Sequence, residues 1–266
     1  MNDLAAVGYC LLAAVLFVTF VFGVAYFKNR YDLIDPAWGL VFISIAVVAF
    51  SGQAVIAALS VQSLVLLLVI TWGIRLYWHL SARWEHNKIE DRRYSDLRAK
   101  YEKSFGGLAV NMYVRVYLVQ AILAMVISLP VILLNTVDVQ QISWISIVGL
   151  LVWMIGFYFE AIGDAQLAAF VKNNKKKGAL MTKGLWKYTR HPNYFGEVTQ
   201  WWGIFIIIAP LLSNWWIAII GPIVISVLII LITGVPLTEK HFAGRPGWDA
   251  YKRRTSKFLP LPPKKV

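Results

Sequence analysis

The chain has 266 residues, 59% of them hydrophobic, and a formal net charge of +12; its mean hydropathy is +0.62. That balance describes a polytopic membrane protein and excludes a separate soluble domain, since no stretch is both polar and long enough to form one. The lone cysteine, Cys10, excludes an internal disulfide and a cysteine-based metal cluster.

A bilayer core needs about 20 apolar residues per helix. Residues 4–27 carry no charge, no basic leader and no small-residue cleavage site, so they read as a retained membrane helix. Residues 36–74 are uncharged and long enough for two spans, as are residues 198–238, and 116–159 supply two more. The expected spans are about 4–27, 36–57, 63–82, 110–134, 141–171, 193–212 and 214–234. Every Lys and Arg falls within 28–30, 75–115, 172–190 or 240–265. With seven spans these four regions share one side of the membrane. The positive-inside rule then makes that side cytoplasmic and the N-terminus external, in a cell membrane. The reading is thus all-α: one integral membrane domain over 1–266, with a cytoplasmic loop at 83–108, a basic cofactor loop at 172–192 and a cytoplasmic tail at 235–266. The loop at 83–108 is expected to hold a short interfacial helix. The positive charge follows from topology and headgroup attraction, so it implies a bilayer partner and no nucleic acid.

Polar residues inside or beside these spans are the candidate functional groups, because burying them unpaired is costly. Asp35 precedes Pro36 and suits a helix N-cap; with Trp38 it is also a candidate lining residue. Gln53 in the second span suits either helix-to-helix hydrogen bonding or chemistry. Trp72, Arg75 and His79 share a face of the third span. Arg75 there either snorkels or meets an acid or a phosphate. Arg92, Arg93 and Tyr94 lie in the long loop. Glu160 and Asp164 are one helical turn apart, where two acids repel unless a ligand or cation relieves them. Lys172, Lys175, Lys176 and Lys177 follow, and with Lys183, Lys187 and Arg190 they suit either a positive-inside flank or a phosphate cradle.

The most informative segment is 184–197, Gly-Leu-Trp-Lys-Tyr-Thr-Arg-His-Pro-Asn-Tyr-Phe-Gly-Glu. It sets Tyr188, Arg190, His191, Asn193, Tyr194 and Glu197 against the start of an apolar run. An interfacial anchor would explain the Tyr and Trp, but it needs neither His191-Pro192-Asn193 nor Glu197. The chain has no G-x-G-x-x-G, no Walker loop and no H-E-x-x-H, so neither a Rossmann nor a P-loop domain is expected, and no metal site.

Taken with Glu160 and Asp164 upstream and the 251–260 tail downstream, this segment resembles the steroid 5-alpha-reductase family, in particular its bacterial branch. Isoprenylcysteine carboxyl methyltransferases share the Arg190-His191-Pro192-x-Tyr194-x-Gly196 portion. The reductase side shows the Asn-aromatic-x-Gly-Glu of Asn193 to Glu197. The resemblance implies seven helices with NADPH buried between the C-terminal ones. It also implies hydride transfer to an enone-like lipid, in the manner of a 3-oxo-5-alpha-steroid 4-dehydrogenase. By motif match, the cofactor residues are Glu160, Asp164, Tyr188, His191, Asn193 and Glu197; Lys172, Lys183 and Arg190 of the phosphate cradle, with Tyr194, Arg75 and Arg93, complete the expected cofactor set. Substrate contacts fall on Asp35, Trp38 and Trp72. The family's carbonyl-polarising Glu and Tyr are replaced here by Ala54 and Trp72. That leaves Tyr77 and Gln53 as catalytic candidates, with His79 or a loop Tyr as substitutes. The alternative readings are a methyltransferase using S-adenosylmethionine and a non-catalytic membrane protein of the same fold.

Overall fold

The computed structural model describes residues 3–51, 60–138, 140–174 and 178–265. Their regular structure is helical: α1 (Asp3–Lys28), α2 (Ile34–Ser51), α3 (Val61–His86), α4 (Arg92–Tyr101), α5 (Gly107–Met112), α6 (Leu118–Ile127), α7 (Leu129–Leu134), α8 (Trp144–Asn173), α9 (Pro192–Ile208), α10 (Trp215–Ala218), α11 (Ile220–Val227), α12 (Val235–Phe242) and α13 (Trp248–Arg254). Two isolated bridges, Ser60 with Gln141 and Thr189 with Ser256, are the β pairing among the described residues. Six helical runs are long and apolar enough to cross a membrane: Ala5–Lys28, Tyr31–Ser51, Val61–His86, Gly107–Ile127, Trp144–Asn173 and Trp215–Phe242. The chain is a multi-pass membrane protein.

The helix ends depart from the sequence reading in three places, each with a local cause. Asp35 is not an N-cap, because a 3-10 turn at Tyr31–Leu33 leads into α2 from Ile34. The charged loop starts later than residue 83, because α3 continues to His86. The fourth span pauses at Ser128, where ψ is 0°; Pro130, in the first turn of α7, has no N–H to continue the helix hydrogen bonds across that point. The loop contains a short helix, α4, capped by Asp91, whose side chain accepts from Arg93 N. The expected break at 58–63 lies partly outside the described residues; Ser60 caps α3 by accepting from Ser63 N.

The chain divides into two compact units. The first comprises Met1–Ile142 with Leu211–Ala218. Its α2 and α3 meet backbone to backbone: a Cβ on Gly73 would lie 2.7 Å from Gly39 O. Around that contact Phe42, Ile45, Phe50, Val65 and Trp72 are buried, and Phe42 meets Trp72 edge to face. Beyond the apolar layer, Asp32 gathers the helix ends, as described below.

The second unit comprises Ser143–Pro210 with Ile219–Val266. Ser143 and Ser146 form a reciprocal cap at the start of α8, satisfying helix donors that have no partner in the preceding turn. α8 and α9 then run antiparallel along glycines spaced by seven: Gly149, Gly156 and Gly163 on α8, Gly196 and Gly203 on α9. A Cβ on Gly156 would fall 2.6 Å from Gly196 O, and one on Gly203 would fall 2.7 Å from Trp153 N. Where water is absent, helices gain by close van der Waals contact, and small residues permit it. The outward face of α8 exposes Leu151, Ile155 and Ile162.

Gly156→Ala is therefore expected to force α8 from α9 and to destabilise the fold by about 1–3 kcal/mol. Gly23→Ala, where nothing lies within 4 Å of a Cβ, should be neutral or stabilising. Thermal unfolding of the two variants in one detergent checks the contrast.

Candidate functional site

The glycine seam brings two acid–amide pairs together between α8 and α9. Asn193 Nδ2 donates to Asp164 Oδ1 at 3.0 Å. Two turns further along α9, Gln200 Nε2 donates to Glu160 Oε2 in a short hydrogen bond. Glu160 is 2% exposed and Asp164 5%. The two acids thus lie away from solvent, and each has its own amide. In each pair the amide nitrogen faces the carboxyl oxygen, so the amide oxygen points elsewhere. As a result Asn193 Oδ1 and Gln200 Oε1 are buried without a hydrogen-bond partner, a cost of about 1–3 kcal/mol each. Glu197 is half-buried on α9 between them in sequence. Gln200 was not singled out from the sequence. The signal was its spacing, since residues 193, 197 and 200 follow one face of a helix.

The segment before α9 has a different task. Its Gly184 adopts φ +59°, and a Cβ there would collide with the Gln166 side chain, whose Oε1 accepts from Leu185 N at 2.9 Å. Trp186 Nε1 donates to Gly163 O at 3.0 Å. Arg190 is 7% exposed. Its Nε and Nη2 donate to Glu239 Oε1 at 2.8 and 2.6 Å, and its Nη1 donates to Thr255 O at 2.6 Å and Lys252 O at 3.2 Å. Thr189 Oγ1 donates to Phe258 O at 2.7 Å, and Tyr251 OH to Trp186 O at 2.6 Å. Arg190 is thereby committed to holding the C-terminal tail rather than to a phosphate. His191 is buried, stacks on Tyr194 with ring centres 5.5 Å apart, and keeps Nε2 3.5 Å from Glu239 Oε1. Burial outweighs the pull of Glu239 and lowers its pKa to about 4, so it is a neutral imidazole at ordinary pH. Tyr194 OH pairs with Thr238 Oγ1 at 3.1 Å.

Three of the cofactor candidates remain open to solvent. Lys172, Lys183 and Tyr188 are exposed. Lys183 borders an open groove of about 450 Å³ with Gln166, Ala169, Phe170, Asn173, Asn174 and Met181. Lys175, Lys176 and Lys177 lie outside the described residues, as do Gln53 and Ala54.

The remaining candidates belong to the first unit. Asp35 accepts from Tyr94 OH and from Arg93 Nη2, both at 2.6 Å, and Arg93 Nε also reaches Asp91 at 3.0 Å. Arg93 therefore neutralises two carboxylates of its own unit. Trp38 packs edge to face on Phe42. Trp72 is buried and Arg75 half-buried on α3. Tyr77 is 37% exposed and turns its ring toward exposed Trp78. The strongest polar centre of this unit, Asp32, was not read from the sequence. It is 4% exposed and accepts from Arg30 Nη2 at 2.8 Å, Trp84 Nε1 at 2.9 Å and Asp91 N at 3.0 Å.

A family model described as a protein of unknown function (DUF1295) matches residues 21–255, and the chain belongs to that family. The matched stretch contains both acid–amide pairs and the Arg190–Glu239 bridge. No curated protein and no solved structure matches the chain.

Two outcomes follow from this geometry. Arg190→Ala leaves Glu239 half-enclosed without its cation and should cost about 3–5 kcal/mol, with the tail becoming protease-sensitive in limited digestion. His191 sets a pH dependence of definite sign, because its folded pKa of about 4 lies below the unfolded value of about 6.5. Between these values the unfolded chain binds more protons, so stability is full above about pH 6.5 and falls toward pH 4, by about 3 kcal/mol in total. His191→Gln should abolish that slope in unfolding midpoints measured across the same range.

Proposed function

We propose that this DUF1295 family member is a membrane-embedded reductase that binds NADPH and reduces the carbon–carbon double bond of an enone-like lipid. The observation that carries the reading is the pair of buried amide oxygens, Asn193 Oδ1 and Gln200 Oε1. Both lack a donor, and both are locked in that orientation by Asp164 and Glu160. A buried acceptor that the fold leaves unmet calls for a ligand that donates. The carboxamide of a nicotinamide ring is such a donor, with two N–H bonds. S-adenosylmethionine also carries N–H and O–H donors, so the preference for the reductase over the methyltransferase reading rests on the Asn-aromatic-x-Gly-Glu of Asn193 to Glu197.

The chain's residues fit the group at both ends. Asn193 would accept from the carboxamide, with Glu197 on the same helix, and Gln200, two turns along α9, would accept from another donor of the dinucleotide. The exposed Lys172 and Lys183 would face phosphates. When bound, the dinucleotide supplies a hydride. The protein's share is to orient the dinucleotide through the two amides, to hold those amides through Asp164 and Glu160, and to exclude water through the glycine seam. An apolar membrane domain suits a lipid-like substrate, which partitions into the same phase.

In this reading α9 is the remaining span. At 17 residues and about 1.5 Å per residue it covers about 26 Å, close to a bilayer core. Seven spans place the basic segments on one side, with the N-terminus outside and the tail in the cytoplasm.

Calorimetric titration of the detergent-purified protein with NADPH, NADH and S-adenosylmethionine tests the proposal. NADPH is expected to bind, and Asn193→Leu and Gln200→Leu are each expected to weaken it roughly 2- to 10-fold, as for one lost hydrogen bond. Binding of S-adenosylmethionine alone would transfer the site to methyl transfer. No binding of any of the three would leave a non-catalytic protein.

A further inference from the structure

The tail after α12 carries surface features that the reductase reading does not use. Its backbone is pinned to the second unit. Arg190 N donates to Ser256 O at 2.9 Å, Leu261 N to Tyr188 O at 3.0 Å and Lys264 N to Arg254 O at 2.9 Å. The Pro260, Pro262 and Pro263 sequence keeps the strand between these anchors extended and stiff. Pinned in this way, the tail turns Leu259 and Leu261 outward, 58% and 53% exposed. Around them Lys252, Arg253, Arg254, Lys257, Lys264 and Lys265 are all exposed, against a single acid in α13 and the tail, Asp249.

The depth of this surface is set by α8. The tail is tied to Tyr188, and the neighbouring Trp186 is bonded to Gly163 O. α8 continues from Gly163 to Asn173, about 15 Å further along its axis. Over that length it still exposes Val171, at 67%. The tail is thus anchored about 15 Å short of the end of α8, a helix that exposes Val171 beyond that level. A stiff segment with two exposed leucines, flanked by cations and directly following a membrane-spanning run, has the chemistry of an anionic lipid surface.

We infer that the C-terminal strap docks on anionic phospholipid headgroups of the leaflet next to it, with Leu259 and Leu261 entering the interface and the surrounding Lys and Arg neutralising lipid phosphates. This docking is independent of any cofactor. It adds a lipid-composition dependence to the segment that also holds Arg190, Thr189 and Tyr188 in place.

The test uses the full chain in nanodiscs, with Leu259→Cys carrying an environment-sensitive fluorophore; the native Cys10 is buried and stays unlabelled. In discs of phosphatidylcholine with phosphatidylglycerol, the emission should shift to shorter wavelength and be quenched by doxyl-labelled lipid. Both effects should be smaller in phosphatidylcholine alone. They should also be lost at about 1 M salt, where the Debye length is about 3 Å. Neutralising Lys252, Arg253, Arg254 and Lys257 to Gln should abolish the difference between the two discs. Lys264→Gln with Lys265→Gln, at the chain end where folding is not at stake, should reduce it in part. Identical spectra in both discs with no quenching would overturn the inference. So would a lipid difference that persists in the neutralised variants.

Discussion

The closeness of α8 and α9 governs the second unit. Gly149 and Gly156 face Gly203 and Gly196 across a gap that no Cβ could enter without displacing backbone, and Gly163 lies in tight contact with Pro192. In an apolar phase there is no hydrophobic gain from burying one helix on another, so dispersion and hydrogen bonding must hold the pair. The glycines supply the first by bringing main chains into contact. They also bring Glu160 and Asp164 within bonding distance of Gln200 and Asn193, which supplies the second. Two carboxylates that would otherwise repel are thereby each partnered. The same constraint turns two amide oxygens away from their acids and leaves them buried and unmet. A chemical opportunity on this helix pair is thus a consequence of how tightly it packs.

The segment 184–197 divides between two roles. Its first half is architectural. Arg190 reaches Glu239 and two carbonyls of the tail, Thr189 reaches Phe258 O, and Trp186 is bonded at both its indole and its carbonyl. His191 fills space as a neutral ring against Tyr194. The second half begins with Asn193, which carries one unmet acceptor; the other, on Gln200, lies just beyond the segment. A guanidinium fits the first role because its planar array of donors serves a carboxylate and two carbonyls at once. An amide fits the second because it donates on one side and accepts on the other.

The first unit meets the cost of interfacial charge in another way. Asp32 is enclosed by Arg30, Trp84 and a main-chain N–H, and Asp35 by Arg93 and Tyr94. Arg98 adds a bridge to Glu90 at 3.1 Å. These contacts join the ends of α2 and α3 to α4, so the charged loop is a folded cap and not a solvated run. Arg93, which looks like a phosphate ligand in the sequence, is here bridged to Asp35 and Asp91.

The sequence by itself determined the membrane class, the positions of most long helices and the stretch of chain that matters. Apolar runs, uncharged gaps and the one dense polar segment are properties of neighbouring residues. It also marked Glu160, Asp164 and Asn193, because a polar group leading into an apolar run is conspicuous without knowing its partner. Tertiary structure decided the roles. Only folding showed that Asp164 belongs to Asn193 and Glu160 to Gln200, that Arg190 belongs to a carboxylate 49 residues away, and that Asp32 is the polar centre of its unit. The reason is physical: a charge in an apolar medium is defined by what compensates it. Compensation is a matter of distance and direction in space, which spacing along one chain does not carry.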